Sequence, residues 1–272
     1  MTERVLKAIG GYKTNINIIE LSGRRAKFIL SDVSYAFANA LRRSAIAEVP
    51  TLTIDDVNIY ENTSVLFDEM LALRLGLIPL ETDLDSYILH SECKCEGGCP
   101  QCQVSLTLNA EGPKVVYSGD LKSSDPKIGP ADKEIPIIKL IEGQKVYLEA
   151  IARLGKGQEH AKWQSSICSY KNMPTISISK CNGCGACAET CPMGILKMDD
   201  ILKVTNEIDC SLCRLCEDIC EVGAIHIGSD TTSFVFNLES HGSLPAEELI
   251  LSSADNIKEK VNRLKKCLKE LS

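Results

Sequence analysis

Eight of the fourteen cysteines fall into two matched runs whose spacing suits metal chemistry. Cys181, Cys184, Cys187 and Cys191, followed by Pro192, read C-x2-C-x2-C-x3-C-P, and Cys210, Cys213, Cys216 and Cys220 repeat the same gaps. An iron–sulfur cube needs four thiolates converging on a few ångströms, and gaps of two residues put three of them on one loop. The likeness continues past the thiols. Gly194-Ile195-Leu196 follows the first run as Gly223-Ala224-Ile225 follows the second, so a whole supersecondary unit is duplicated. Zinc ligands more often come as pairs of C-x2-C than as two such quartets. Glu221 stands where the first run has proline, which leaves room for the second cluster to be packed or exposed differently.

A third constellation, Cys93-x-Cys95-x3-Cys99-x2-Cys102, gathers four thiols around Gly97-Gly98. Four thiolates this close can enclose one tetrahedral zinc ion, and the glycines let the backbone fold back without steric cost. So short a loop has no core of its own. Zinc would replace one, with His90 as a spare ligand if a cysteine is unused. The other reading is a loosely ordered, partly oxidised thiol loop. Cys168 and Cys267 read as small buried hydrophobes. Reactive groupings of other kinds are scarce. Gly155-Lys156-Gly157 hints at phosphate binding, but the spacing G-x4-G-K-[S/T] is missing. His90, His160, His226 and His241 are scattered, and no nucleophile–base–acid set can be assembled. No catalytic site is expected.

A length of 272 residues suggests two ordinary domains, or three if one is small. Hydrophobic residues at 44% and charged residues at 25% place the chain among globular proteins. The net charge of −7, with a pI near 5.3, argues against a chain whose main work is gripping nucleic acid. Without a visible leader, so many cysteines read as metal ligands rather than disulfides. No apolar run approaches the ~20 residues of a membrane span. A cytoplasmic protein is expected, in a cell with little exposure to oxygen.

The positioning elements can be read from periodicity. Asn15 to Leu21 and Arg25 to Ser31 are strands about the turn Ser22-Gly23-Arg24, with Ala26, Phe28 and Leu30 on one face of the second. A helix runs from Asp32 to about Glu48, capped by Ser31 or Asp32 and stopped by Pro50, with Val33, Phe37, Ala40, Leu41 and Ser44 on one face. Residues 51 to 148 read as a strand-rich unit: strands at Leu52–Tyr60, Val104–Leu108 and Val115–Tyr117, and a short helix at Met70–Leu75. Ser233 to Leu238 is a strand, and a helix starts near Pro245. In that helix Ile250, Ala254, Ile257, Val261, Leu264, Leu268 and Leu271 form an unbroken heptad stripe.

The two thiol runs resemble those of bacterial-type two-cluster ferredoxins, where the fourth cysteine of each run serves the other cluster. That implies two 4Fe-4S clusters, one on Cys181, Cys184, Cys187 and Cys220, the other on Cys210, Cys213, Cys216 and Cys191. Over essentially its whole length the chain also resembles the D-type subunit of archaeal DNA-directed RNA polymerase, a family related to the bacterial alpha subunit's amino-terminal domain and to the third subunit of eukaryotic polymerase II. The residues that carry this are Asn39-Ala40-Leu41-Arg42-Arg43, Asn62-Thr63-Ser64, Arg74 to Leu80, and Gly155-Lys156-Gly157 through His160-Ala161-Lys162-Trp163. Several archaeal members carry a ferredoxin-like insertion at this place, and the 93–102 loop is similar in spacing to that of the eukaryotic relative.

The resemblance implies an α+β fold in three parts. A discontinuous alpha-subunit-like dimerisation domain would comprise residues 1–48, 148–170 and 228–272. A strand-rich insert with the zinc-type loop would cover 49–147, and a ferredoxin-like insert 171–227. It further implies a non-catalytic assembly subunit of a nucleotidyltransferase complex active in transcription, pairing with the small subunit L and nucleating the large catalytic subunits beside small accessory ones. Neither sequence-specific DNA contact nor a membrane is expected. Phe37 and Leu41, with Ile257, Val261, Leu264 and Leu268 of the terminal helix, would face subunit L, and Arg42 and Arg43 a large subunit. The rival class is a ferredoxin-type electron-transfer protein or oxidoreductase subunit. The lack of a flavin or nicotinamide motif argues against it.

Overall fold

The period of two in Ala26, Phe28 and Leu30 makes one face of a strand apolar, and burial of that face organises the first sheet. The computed structural model describes residues 15–95 and 97–271; the first fourteen residues of the expected 1–48 piece thus lie outside the described residues. Strand β1 (Asn15–Leu21) pairs antiparallel with β2 (Arg25–Ser31), and helix α1 (Tyr35–Ala47) follows. Strand β3 (Thr51–Asn62) and helix α2 (Asp68–Gly76) lead to β4 (Gln103–Glu111), β5 (Lys114–Tyr117), β6 (Lys122–Ser123), β7 (Pro136–Leu140) and β8 (Lys145–Gly155). Then come β9 (Ser166–Ile178), α3 (Ala186–Thr190), β10 (Leu196–Met198), β11 (Leu202–Val204), α4 (Leu215–Asp218), β12 (Ile225–Ser240) and α5 (Ala246–Glu270).

The first sheet has the order β1-β2-β12-β9 and the second β3-β8-β4-β6; β5 pairs with β7, and β10 with β11. Three apolar cores result. One gathers Leu30, Leu41, Phe234, Phe236 and Leu249 between the first sheet and α1 and α5. Another joins Leu52, Leu71, Leu106 and Leu148. The smallest holds Ile195, Leu196, Ile225 and Ile227 among the cysteines. Phe28 stacks on Phe236 with ring centroids 5.0 Å apart, and Tyr170 meets Phe234 edge-on at 5.4 Å. Strands β9 and β12 belong to two cores at once. Their ladder runs from Ser240↔Ser166 to Ile225↔Ile178, with a register shift between Asp230 and Phe234.

Several boundaries differ from those read in the sequence. Asp32 sits in the left-handed region at φ 62°, so the helix starts later, and Ser34 caps it by accepting the Phe37 N–H at 3.3 Å. The buried face of α1 is Ala38, Leu41, Ser44 and Ala45, with Phe37 half-buried at its edge. Residues 148–155 fall within β8, the strand between β3 and β4, so they sit in the second sheet and not with 156–170. The points 170/171 and 227/228 lie inside β9 and β12, not between elements. Cys168 is buried as expected, and burial pushes its thiol up to about 12. Cys267 is exposed, because the last turns of α5 extend past the core.

The Gly155-Lys156-Gly157 motif serves packing. A Cβ on Gly155 would lie 2.3–2.7 Å from the Trp163 ring, and one on Gly157 would lie 2.9 Å from the Ile46 carbonyl oxygen. Trp163 Nε1 donates to the Arg153 carbonyl at 3.2 Å, and Thr51 Oγ1 donates to the Trp163 carbonyl at 3.0 Å. Trp163 is the chain's one tryptophan. Gly155→Ala is therefore expected to displace the indole, shift its fluorescence and destabilise the fold by about 1–3 kcal/mol. An unchanged emission spectrum and denaturant midpoint would contradict that packing role.

Candidate metal centres

The ends of β9 and β12 carry the duplicated thiol unit, and the duplication is visible in the backbone. Gly183 and Gly185 take φ 75° and 78°; Leu212 and Arg214, at the matching places of the second run, take 61° and 63°. Gly194 and Gly223 close each run at φ 61° and 59°. Their N–H groups donate to the carbonyls of Cys191 at 3.1 Å and Cys220 at 2.9 Å. Two further donations match: the Gly183 N–H reaches Cys181 Sγ and the Leu212 N–H reaches Cys210 Sγ, both at 3.5 Å. The short helices α3 and α4 carry the third thiol of each run, Cys187 and Cys216, both buried.

Cys191, Cys210, Cys213 and Cys216 line one small pocket, beside Ile176 and Ile227. The fourth cysteine of the first run is thus brought to the first three of the second. Desolvation pushes the Cys216 thiol up to about 11, with Cys191 and Cys210 adding to the shift. Cys187 is raised chiefly by burial and then by Cys181 and Cys184. Hydrogen bonds hold Cys213 and Cys220 below the usual thiol range, led by Ser211 for the one and the Ala224 N–H for the other. Cys181 and Cys184 are exposed, whereas Cys210 and Cys216 are buried. No disulfide joins any of the fourteen cysteines. Soft donors without disulfides, met by backbone N–H groups, fit iron–sulfur ligation.

The Cys93, Cys95, Cys99 and Cys102 sulfurs all lie within 4.8 Å of one another, the one such tight group among the described residues. Cys93–Cys99, Cys95–Cys102 and Cys99–Cys102 are 3.6, 3.5 and 3.9 Å apart. A tetrahedron with metal–sulfur bonds of about 2.3 Å has edges of roughly 3.8 Å, so this loop is shaped for a single ion. Gly97 and Gly98 take φ 89° and 115° and turn the tip. The Gln101 N–H draws Cys99 down to about 7, favouring its thiolate. His90 opens the preceding turn, is exposed and stands outside the group.

The other singled-out residues lie on α1 and α5. Leu41 is buried and lines an apolar groove with Ile16, Ile18, Leu21, Ile250 and Ala254. Ile257 is half-buried, and Val261, Leu264 and Leu268 are exposed along α5. Arg42 is half-buried and donates to Asn39 Oδ1 at 3.0 and 3.2 Å, whereas Arg43 is exposed. Lys27 and Lys171 were not singled out in the sequence. Lys27 reaches from the first sheet to Asp209, just ahead of the second thiol run, and Lys171 to its first cysteine; for Lys27 alone the alternation read in Arg25 to Ser31 gave the face. Among the described residues no helix is long and apolar enough to cross a membrane.

Comparison with known proteins matches two stretches of the chain. Residues 57–176 match the RNA polymerase Rpb3/RpoA insert domain, and residues 180–224 match a 4Fe-4S dicluster domain. The fold and thiol sites therefore define an iron–sulfur-bearing polymerase-type α+β chain. The DNA-directed RNA polymerase subunit Rpo3 of Methanosarcina acetivorans is 53% identical over 262 residues, covering 94% of this chain and 98% of the relative. The Rpo3 of Archaeoglobus fulgidus is 45% identical, with 94% and 98% covered, and that of Thermococcus kodakarensis is 40% identical, with 86% and 89% covered. The chain belongs to the Rpo3 family of DNA-directed RNA polymerase subunits, the family of the archaeal D-type subunit.

The unequal loops yield a measurable asymmetry. A Cβ on Gly185 would meet only Met198 Cγ at 4.0 Å, so backbone strain alone opposes it. Gly185→Ala is expected to cost about 1–2 kcal/mol, and Arg214→Gly to cost nothing or to stabilise by up to about 1 kcal/mol. Anaerobic thermal unfolding of the cluster-loaded chain distinguishes them; equal losses would refute the left-handed strain.

Proposed function

We propose that this chain is the non-catalytic assembly subunit of an archaeal DNA-directed RNA polymerase, working in the cytoplasm. The observation that carries this is a kinship spanning nearly the full length of both the chain and its Rpo3 relatives. The first sheet with α1 and α5 is its dimerisation domain; the second sheet with its thiol loop and the cluster unit are inserts. Its partner there is the small subunit L. The support is a stripe that begins in the apolar groove and continues, uncovered, through Val261, Leu264, Leu268 and Leu271. The pair then receives the large catalytic subunits and the small accessory ones, with Arg42 and Arg43 on the face offered to a large subunit. Leu41 is a poor probe of pairing, since a charge there would also break the chain's own core. Leu264→Glu is the better one, because it should leave the lone chain folded and abolish co-elution with the small subunit, a charge buried in an apolar seam costing several kcal/mol. Leu268→Ala should weaken pairing with little effect on the chain's own midpoint, as its side chain is exposed. Unchanged co-elution of Leu264→Glu would show that another face pairs.

The cluster unit holds two 4Fe-4S clusters, on Cys181, Cys184, Cys187 and Cys220 and on Cys210, Cys213, Cys216 and Cys191, and the 93–102 loop holds one zinc. Bound there, the clusters cross-link four chain segments that the small core of Ile195, Leu196, Ile225 and Ile227 cannot hold alone. The clusters are structural first. Their loss unfolds the insert while the pair with the small subunit survives, and docking of a large subunit weakens, which makes assembly sensitive to oxidation. Anaerobically purified chain should yield iron and sulfide for two cubes and one equivalent of zinc. Reconstitution from purified subunits should give less complete polymerase from cluster-free chain than from loaded chain. Equal yields would remove the regulatory role, and loss of the heterodimer would show that the first sheet depends on iron.

A further inference from the structure

The face of the first sheet opposite α1 and α5 is not bare. Phe234 and Phe236 point from β12 into the helical core, so Val235 and Asn237 face the other way. Their neighbours across the ladders are Lys171 on β9, opposite Val235, and Lys27 on β2, opposite Asn237. The turn Glu207–Asp209 packs against β9 on this face, and Val235 between the lysines is fully buried. Lys27 Nζ meets Asp209 Oδ1 at 2.7 Å, with 25% of its side chain exposed, and Lys171 Nζ donates to the Cys210 carbonyl at 2.7 Å. Two ammonium groups from the dimerisation sheet thus grip the turn that leads into the first thiol of the second run.

We propose that Lys171 and Lys27 are positioning residues for the cluster on Cys191, Cys210, Cys213 and Cys216: they pin its turn to the first sheet, and their charge raises its reduction potential. The inference rests on the ligand sets proposed above. A cube held by four thiolates is anionic and gains a further negative charge with each electron, so a fixed cation nearby favours the reduced form. A cluster on Cys191, Cys210, Cys213 and Cys216 would feel the Lys171 charge directly, and Lys27 through the Asp209 carboxylate that it neutralises; the first run, starting at Cys181, begins beyond the end of β9, whereas Lys171 lies within that strand.

The test is a redox titration of the full chain, anaerobically loaded and followed by low-temperature electron paramagnetic resonance, with iron and sulfide counted. Lys171→Gln keeps an N–H donor and removes the charge. It should retain both clusters and lower the potential of one couple, by about tenfold in its reduced-to-oxidised ratio or ~59 mV, with the other couple unmoved. Lys171→Arg should restore the original value. Full clusters with both couples unmoved would overturn the proposal. If Lys171→Gln loses iron, Lys27→Gln decides: one couple lowered supports the assignment, and none moved refutes it. Wild-type chain with iron for fewer than two clusters would overturn the ligand sets, and the lysine roles with them.

Discussion

Everything distinctive about this chain depends on one antiparallel ribbon. Strands β9 and β12 enter the helical core at Ser166 and Ser240 and leave it still paired, ending at Ile178 and Ile225 beneath the cysteines. A ladder whose two strands are buried in two different cores cannot fray at one end without exposing apolar residues there. The register shift between Asp230 and Phe234 lies between the two regions and lets each keep its own twist. The metal-binding unit is therefore mounted on the sheet as an extension of its strands, not tethered by a linker.

Periodicity and spacing carried much of this. The bounds of β1 and β2 followed from alternation about Ser22-Gly23-Arg24, and the thiol runs from their gaps. The sharing of the fourth cysteine came only from the resemblance to two-cluster ferredoxins; that Cys191 lines a pocket with Cys210, Cys213 and Cys216 is a long-range adjacency no spacing gives. Long-range geometry was less legible. Composition cannot tell that residues 148–155 pair with both β3 and β4, or that a strand passes through a domain boundary, because pairing partners are distant in sequence. The helix cap moved to Ser34 because Asp32 takes a left-handed conformation, which its residue type permits but does not announce. Cys267 looked like a small hydrophobe and proved exposed, since residue type alone does not announce that the last turns of α5 extend past the core.

The three cores use different means of stability. The second sheet closes around Leu52, Leu106 and Leu148 and relies on apolar burial. The thiol loop beside it has no such residues and gathers four sulfurs instead. The cluster unit stands between, with a few isoleucines and leucines interleaved with cysteines. As apolar material thins, metal-binding chemistry takes over the task of holding backbone segments together.

The far half of α5 bears on how a cell must handle this chain. From Val261 onward the helix, about 37 Å long in all, carries an apolar strip that lies exposed among the described residues. Left bare, that strip is open to chaperones, proteases and sister copies. Were the pairing proposed above to hold, synthesis of the two partners would have to be kept in step, and the scarcer one would set how many polymerases can be built.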